Sequence, residues 1–194
     1  MKRVPWAVVL AAGGSTRMGS PKALLRVGDS VLVERHCSAL RRGARRVVVA
    51  IGADAARVRT AVPAWATIVE NAEWRTTWPA DTLRLALREA RIRGPCLVTP
   101  VDVPPARPET LEALLAVGGA AVPLDTEGRR GHPVRLDPAL VSRIRMHGAP
   151  DGLDALLGSA TLVATADPDV ARDFDDMASF DAWAGGERWA VPSP

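Results

Sequence analysis

Aromatic residues are scarce in this chain. Its 194 residues include six Trp, two Phe and no Tyr, whereas single-stranded nucleic-acid binders use aromatic side chains to stack on bases. The formal net charge is only +3, and the basic residues are scattered, while a nucleic-acid-binding domain carries a denser basic stripe. The sequence therefore predicts no nucleic-acid partner. A small positive excess is compatible with a phosphate-bearing ligand.

Cysteine is equally sparse. Cys37 and Cys96 are the two cysteines, and neither belongs to a CxxC motif or neighbours a pair of histidines. This spacing excludes a zinc knuckle. Two distant cysteines also make a poor disulfide scaffold, and we expect two buried thiols in a reducing compartment.

The sequence also lacks a long hydrophobic run. A membrane-spanning helix needs about 20 consecutive apolar residues, and no segment approaches that length. Near the N-terminus, the apolar segment 6–12 runs directly into Gly13 and Gly14, too soon for a signal peptide. We therefore expect a cytoplasmic protein with no membrane partner.

Short apolar segments alternate with helical patterns along the chain. Strands are predicted at 6–10, 47–51, 67–69, 96–99, 120–122, 133–136 and 161–164, and those at 6–10 and 47–51 are predicted to be fully buried. Helices are predicted between them, with Asp81 as the cap of one, Asp137-Pro138 as the start of another, and a last helix at 179–184. This alternation predicts an α/β fold with a mostly parallel sheet covered on both faces. The length predicts one domain, residues 1–184, followed by a loose tail at 185–194.

The loop after the first predicted strand combines glycines with two cations. Residues 10–22 read LAAGGSTRMGSPK. Glycines allow backbone N–H groups to approach a phosphate closely, and Arg17 and Lys22 supply the positive charges that a polyphosphate requires. Ser20-Pro21 stands where a Walker A loop has Lys-Ser/Thr, and there is no GxGxxG. From the residues alone, the alternative to a phosphate-binding loop is a glycine turn whose two cationic side chains are simply solvated.

This segment resembles LAAGxSxRMGxxK, the signature of the MobA-like nucleotidyltransferases, especially the molybdenum cofactor cytidylyltransferases, at every fixed position. The resemblance implies a Rossmann-like three-layer α/β/α sandwich. It also implies Mg²⁺-dependent transfer of a nucleotidyl group from an NTP to a phosphate, with release of pyrophosphate. Arg17 and Lys22 would then be catalytic. The implied nucleotide-binding residues are Leu10, Ala11, Ala12, Gly13, Gly14, Arg17, Lys22 and Asn71.

An acidic residue follows the strand predicted at 96–99. The segment 99–104 reads TPVDVP, and one carboxylate held between prolines can suffice for Mg²⁺, which prefers few carboxylates plus phosphate oxygens and water. In a turn, Asp102 could instead only cap backbone groups. Because the segment is similar to the family's PxDxP, the resemblance implies that Asp102 is a catalytic metal ligand.

Two further segments resemble family motifs. Gly131-His132-Pro133 is similar to the family's GHP, which implies that His132 binds the acceptor; a structural histidine is the alternative. The acceptor phosphate is already ionised near neutrality, so no proton transfer is assigned to His132. Residues 173–180, DFDDMASF, resemble DiDTpeDl, with Asp173 and Asp175 matching. Asp175 is then a candidate second metal ligand or, equally well, a helix cap.

The sequence departs from the family around the substrates. In the family's NxxWxxGmSSSLR, Asn71 and Trp74 match, and Leu83-Arg84 match if one extra residue is allowed, but residues 77–81 lack the Gly and the small hydroxyl cluster. Residues 148–154, GAPDGLD, resemble the family's GDxGAR only weakly and lack its Arg. The reaction type is therefore better supported than the acceptor.

The resulting hypothesis is transfer of CMP from CTP to molybdopterin, with a molybdenum enzyme as the possible recipient of the product. The preference for CTP rests on Ala11-Ala12-Gly13, since related guanylyltransferases typically read LAGG there. One alternative keeps the chemistry but uses a sugar phosphate, phospholactate or another phosphorylated alcohol as acceptor. Another is a non-catalytic nucleotide-binding or cofactor-handling protein.

Overall fold

The computed structural model describes residues 3–14 and 20–186 and contains nine strands and seven α-helices in that part of the chain. The strands are β1 (Val4–Ala11), β2 (Arg26–Val27), β3 (Ser30–Val31), β4 (Ala44–Ile51), β5 (Thr67–Glu70), β6 (Cys96–Pro100), β7 (Ala121–Leu124), β8 (Val134–Leu136) and β9 (Thr161–Ala164). The helices are α1 (Leu32–Gly43), α2 (Ala55–Ala61), α3 (Pro79–Glu89), α4 (Pro108–Ala116), α5 (Pro138–His147), α6 (Gly152–Leu156) and α7 (Met177–Gly186), with a 3₁₀ turn at Lys22–Leu24.

Seven strands form one sheet in the order β5-β4-β1-β6-β8-β7-β9. The pairs β5–β4, β4–β1, β1–β6 and β7–β9 are parallel, and only β8 pairs antiparallel with its neighbours. The prediction of an α/β fold with a mostly parallel sheet is therefore confirmed. The strand order reverses at β1, which lies between β4 and β6. In such sheets, a ligand-binding crevice opens beyond the carboxyl ends of the strands at that point.

Helices cover both faces of the sheet and create two hydrophobic cores. Val9 and Val49 pack on one face with side chains from α1, α4 and α7. Val8 and Val48 pack on the other face with side chains from α3 and α5. Because successive residues of a strand point to opposite faces, burial of both faces produces the continuous apolar runs of β1 and β4. The arrangement is a three-layer α/β/α sandwich.

The helix boundaries correct one prediction and agree with another. Helix α3 begins at Pro79, and Asp81 lies inside its first turn, where its carboxylate accepts a 2.9 Å hydrogen bond from the backbone N–H of Trp78. Asp81 is thus not the cap residue. It still provides a hydrogen-bond acceptor for a backbone N–H group where the chain enters the helix. For α5, Asp137 accepts from the Leu140 N–H at 2.8 Å and Pro138 is the first helical residue, as expected.

The remaining differences lie at short elements and at the C-terminus. The β2–β3 hairpin and the 3₁₀ turn were not predicted. The tail predicted from residue 185 begins inside α7, and residues 187–194 lie outside the described part of the chain. Both cysteines are buried free thiols, and burial raises the pKa of Cys37 to about 12. Within the described residues, no helix has the length and apolar character to cross a bilayer.

Candidate active site

A cavity of about 390 Å³ opens at the carboxyl ends of β1 and β6, where the strand order reverses. We call it the first cavity. Seven of the residues that the sequence singles out line it: Leu10, Ala11, Ala12, Gly13, Lys22, Asp102 and Asp175. Gly14 is described but is not among the lining residues. Arg17 lies outside the described residues.

Lys22 and Asp102 meet in the first cavity. Their Nζ and Oδ2 atoms are 3.1 Å apart, and the side chains are 16% and 40% exposed, respectively. Lys22 lies in the 3₁₀ turn after the glycine loop, and Asp102 lies just beyond the end of β6. The fold thus brings together one cation and one carboxylate from loops 80 residues apart. Both groups remain accessible to a ligand in the cavity.

The backbone that carries Asp102 is fixed on three sides. The Val101 N–H donates to the Leu10 carbonyl of β1 at 2.9 Å, and the Phe174 N–H donates to the Asp102 carbonyl at 2.7 Å. On the third side, Nε2 of His36 lies 3.0 Å from the Val103 carbonyl and donates to it in the neutral ring. The loop therefore presents the Asp102 carboxylate with little freedom to move.

His36 is a residue whose role the sequence did not reveal. Burial is the main cause that lowers its pKa to about 4, and the carbonyls of Val103 and Val101 oppose this effect. The ring is therefore neutral at pH 7. In the sequence, His36 looks like any member of the apolar face of α1, because its contact lies 67 residues away.

Two further carboxylates, Asp173 and Asp175, approach Asp102 from the C-terminal segment. Between them, Phe174 is fully buried, with ring centroids 5.3 Å from Phe180 and 5.0 Å from Trp183. Burial, followed by the negative charges of Asp102 and Asp175, raises the pKa of Asp173. The aromatic anchor therefore holds a group of carboxylates whose mutual repulsion a cation would relieve.

This set of carboxylates fits a magnesium ion that is only partly held by protein. Within residues 3–14 and 20–186, no three His, Cys, Asp or Glu side chains converge into a ready metal cage. Mg²⁺ usually keeps several waters and binds one or two carboxylates together with substrate phosphates. Asp102 and Asp175 both line the first cavity, so the ligands that Mg²⁺ requires from protein are available there.

Asn71 lies behind the wall of the first cavity. Its side-chain N–H₂ donates to the hydroxyls of Thr77 and Thr82, both at 2.9 Å, and its Oδ1 accepts from the Glu73 N–H at 3.1 Å. Asn71 is 4% exposed, whereas Thr77 and Thr82 line the cavity. In this structure, the hydrogen bonds of Asn71 organise the segment after β5. Direct contact between Asn71 and a nucleotide remains a prediction.

Gly52 lies beside Ala12 and Trp74, which line the first cavity, and no sequence motif pointed to it. A Cβ at this position would lie 2.7 Å from the Trp74 Cβ and 2.8 Å from the Ala12 carbonyl. Beside it, the Ala53 N–H donates to that same carbonyl at 3.0 Å. Only glycine lets the end of β4 approach the glycine loop this closely. The available signal was a glycine directly after a buried strand.

His132 lines a second cavity of about 580 Å³, which shares Leu10, Pro79 and Pro100 with the first cavity. Burial lowers the pKa of His132, while the charges of Asp154 and Asp102 oppose that effect. The preceding Gly131 is fixed by packing, because a Cβ there would lie 1.9 Å from the Val170 carbonyl oxygen. The glycine of the Gly-His-Pro pattern is thus explained by its close contact with the backbone of Val170.

Known proteins share this fold and part of the sequence. The bifunctional protein GlmU of Acaryochloris marina is 38% identical over 113 residues, which cover 56% of this chain; the chain matches 25% of that relative's length. Rv0371c of Mycobacterium tuberculosis superposes with a TM-score of 0.80 at 25% identity, covering 94% of this chain and 98% of that one. A nucleotidyl transferase from Methanothermobacter has a TM-score of 0.78 at 21% identity, covering 94% and 96%.

The family assignment rests on more than these pairwise matches. The MobA-like NTP transferase domain matches residues 7–165, which include the glycine loop, Asp102 and His132. This confirms the resemblance at the level of the family, while the similarity to the molybdenum cofactor cytidylyltransferases stays a prediction. The chain belongs to the family of MobA-like NTP transferase domains.

Proposed function

We propose that this protein is a Mg²⁺-dependent nucleotidyltransferase that moves CMP from CTP onto the phosphate of a small acceptor and releases pyrophosphate. Molybdopterin is the leading acceptor. The observation that carries the proposal is the meeting of Lys22 and Asp102, 3.1 Å apart, in a cavity bordered by the glycine loop at the strand-order reversal. Family membership supports the same chemistry.

In the proposed binding mode, each part of the nucleotide occupies its own part of the first cavity. Backbone N–H groups near Gly13 and the Lys22 ammonium face the triphosphate, and Arg17 of the same loop adds a second cation. The base lies against Ala11 and Ala12, on the side where Trp74 and Thr82 close the cavity. A polyphosphate in this position replaces Asp102 as the partner of Lys22.

The acceptor phosphate enters from the second cavity and attacks the α-phosphorus in line. Its oxygens are ionised near neutrality, so no general base is needed, and His132 orients the acceptor. Lys22 and Arg17 stabilise the charge that develops on the phosphate oxygens. A bound Mg²⁺ would supply further positive charge at the triphosphate, and Asp102, with Asp175 as a second ligand, would hold it. Rv0371c, a structural relative, has also been solved with manganese.

The experiment is a pyrophosphate-release assay across the four NTPs and a panel of acceptors that contains molybdopterin, a sugar phosphate and phospholactate. We expect release with CTP, dependent on Mg²⁺ and on an acceptor. Calorimetry with Mg²⁺ should show tighter binding of CTP than of GTP. A preference for GTP or ATP would contradict the cytidylyl assignment, and a failure to release pyrophosphate with every pair would contradict nucleotidyl transfer. A cytoplasmic location is part of the proposal and rests on sequence alone.

A further inference from the structure

The second cavity has walls that suit only some acceptors. Its apolar surface comes from β1, β6, α3 and the region around α6, and it includes Leu83, Leu153 and Leu157. It joins the first cavity through shared residues. If the acceptor phosphate reaches the α-phosphorus at this junction, the rest of the acceptor lies in the second cavity.

Acidic side chains line this cavity. Among the described residues that line it, the charged side chains are Asp81 and Asp154, with no Lys or Arg. His132 adds no positive charge at neutral pH, because burial lowers its pKa. A second anionic group on the acceptor would therefore be repelled, while a cation or an N–H donor would find a carboxylate.

An exposed aromatic ring borders the same cavity. Trp78 is 78% exposed, the largest value among the exposed large hydrophobic side chains of the described residues. Its backbone N–H donates to the Asp81 carboxylate at 2.9 Å, which fixes the main chain of Trp78 at the start of α3. An indole face attracts cations and stacks on planar rings. Trp78 and the two carboxylates thus favour the same kind of ligand.

We propose that the non-phosphate part of the acceptor is a nitrogen-bearing, non-anionic group, either a cation or an N–H-donating heterocycle, that contacts Trp78 and Asp154. This inference rests on the proposed function. A pterin ring satisfies it through its N–H groups. Phospholactate does not, because its carboxylate would approach Asp81 and Asp154. A sugar phosphate would leave many hydroxyls against apolar walls.

Acceptor kinetics test the proposal. With CTP and Mg²⁺, molybdopterin or phosphocholine should support pyrophosphate release better than phospholactate or N-acetylglucosamine 1-phosphate. Asp154→Asn should raise the KM for the preferred acceptor about tenfold, as expected for loss of a charge-assisted hydrogen bond, and should leave kcat and the KM for CTP unchanged. Asp151→Asn is the matched control, since Asp151 is exposed, immediately precedes the same short helix without a side-chain hydrogen bond to it, and does not line the cavity. Preference for phospholactate or the sugar phosphate, or an unchanged KM in Asp154→Asn, would overturn the inference.

A binding experiment separates this inference from the proposed function. Choline, a phosphate-free pterin and lactate are titrated into the protein by calorimetry, with Trp fluorescence as a second signal. Binding of choline or the pterin that Asp154→Asn weakens and Asp151→Asn preserves supports the inference even if no pyrophosphate is released. If neither nitrogen compound binds in this Asp154-dependent way, the inference is wrong, whatever the transfer assay shows.

Discussion

Protonation of one buried histidine should make the stability of this protein depend on pH. His36 is 1% exposed, and its pKa is lowered from 6.5 to about 4, chiefly by burial. Between these values the unfolded chain binds a proton at His36 and the folded protein does not. Stability therefore rises with pH through this window and is lost as the pH falls from about 6.5 towards 4.

The magnitude follows from the same two values. A tenfold change in proton affinity corresponds to about 1.4 kcal/mol, so the gap between 6.5 and about 4 corresponds to about 3 kcal/mol of unfolding free energy. This is a large part of the roughly 5–15 kcal/mol that stabilises a typical domain. The loss would also affect the active site, because His36 holds the Val103 carbonyl of the loop that carries Asp102.

Urea unfolding between pH 4 and pH 7.5 provides the assay, with His36→Gln as the comparison. Gln keeps an N–H donor for the Val103 carbonyl but does not titrate, and the other titrating groups are common to both proteins. We expect the unfolding free energy of the wild type to fall by about 3 kcal/mol more than that of the variant as the pH decreases. Parallel pH profiles would refute the reasoning, as would an NMR titration of the wild-type ring that gives an ordinary histidine pKa.

Three further substitutions test the site. Lys22→Ala should lower turnover by about two to three orders of magnitude, as loss of one preorganised charge donor does, with an unchanged circular dichroism spectrum; near-normal turnover would remove Lys22 from catalysis. Asp102→Asn should abolish Mg²⁺-dependent transfer with little change in Tm, whereas a role limited to backbone capping would leave most activity. Gly52→Ala should lower Tm, because its Cβ would lie 2.7 Å from the nearest side-chain atom; Gly118→Ala, with no atom within 4 Å, is the control and should not.

The central strands β1, β4 and β6 could be predicted because most of their residues are buried on both faces of the sheet. Such burial requires uninterrupted apolar runs, as in β1 and β4, and the predicted ends fall within three residues of the observed ones. The β2–β3 hairpin could not be found in this way, since two-residue strands carry no periodicity. The order of strands in the sheet was equally inaccessible, because it depends on contacts between distant segments.

In the candidate site, too, some residues could be identified from the sequence, whereas their contacts could not. Lys22 and Asp102 were identifiable because each follows a buried strand and lies in a pattern whose residue types suit phosphate or metal. Their ion pair was not, since it depends on β1 and β6 being neighbours. His36 and Gly52 carry no motif. They support the site through tertiary contacts with Val103 and Ala12, which appear only once the helix and the strands are packed.

The segment after β5 bears most directly on whether the site is active. Its departure from the family's hydroxyl cluster motivated the alternative of a protein without transferase activity. In the structure, Thr77, the first of the changed residues, and Thr82, which follows them, line the first cavity and accept hydrogen bonds from Asn71. Hydroxyl groups are thus retained at the cavity wall. The change instead adds Trp78 and Asp81 to the second cavity, so it alters the site that we propose for the acceptor and spares Lys22 and Asp102, which we propose for the phosphate and the metal.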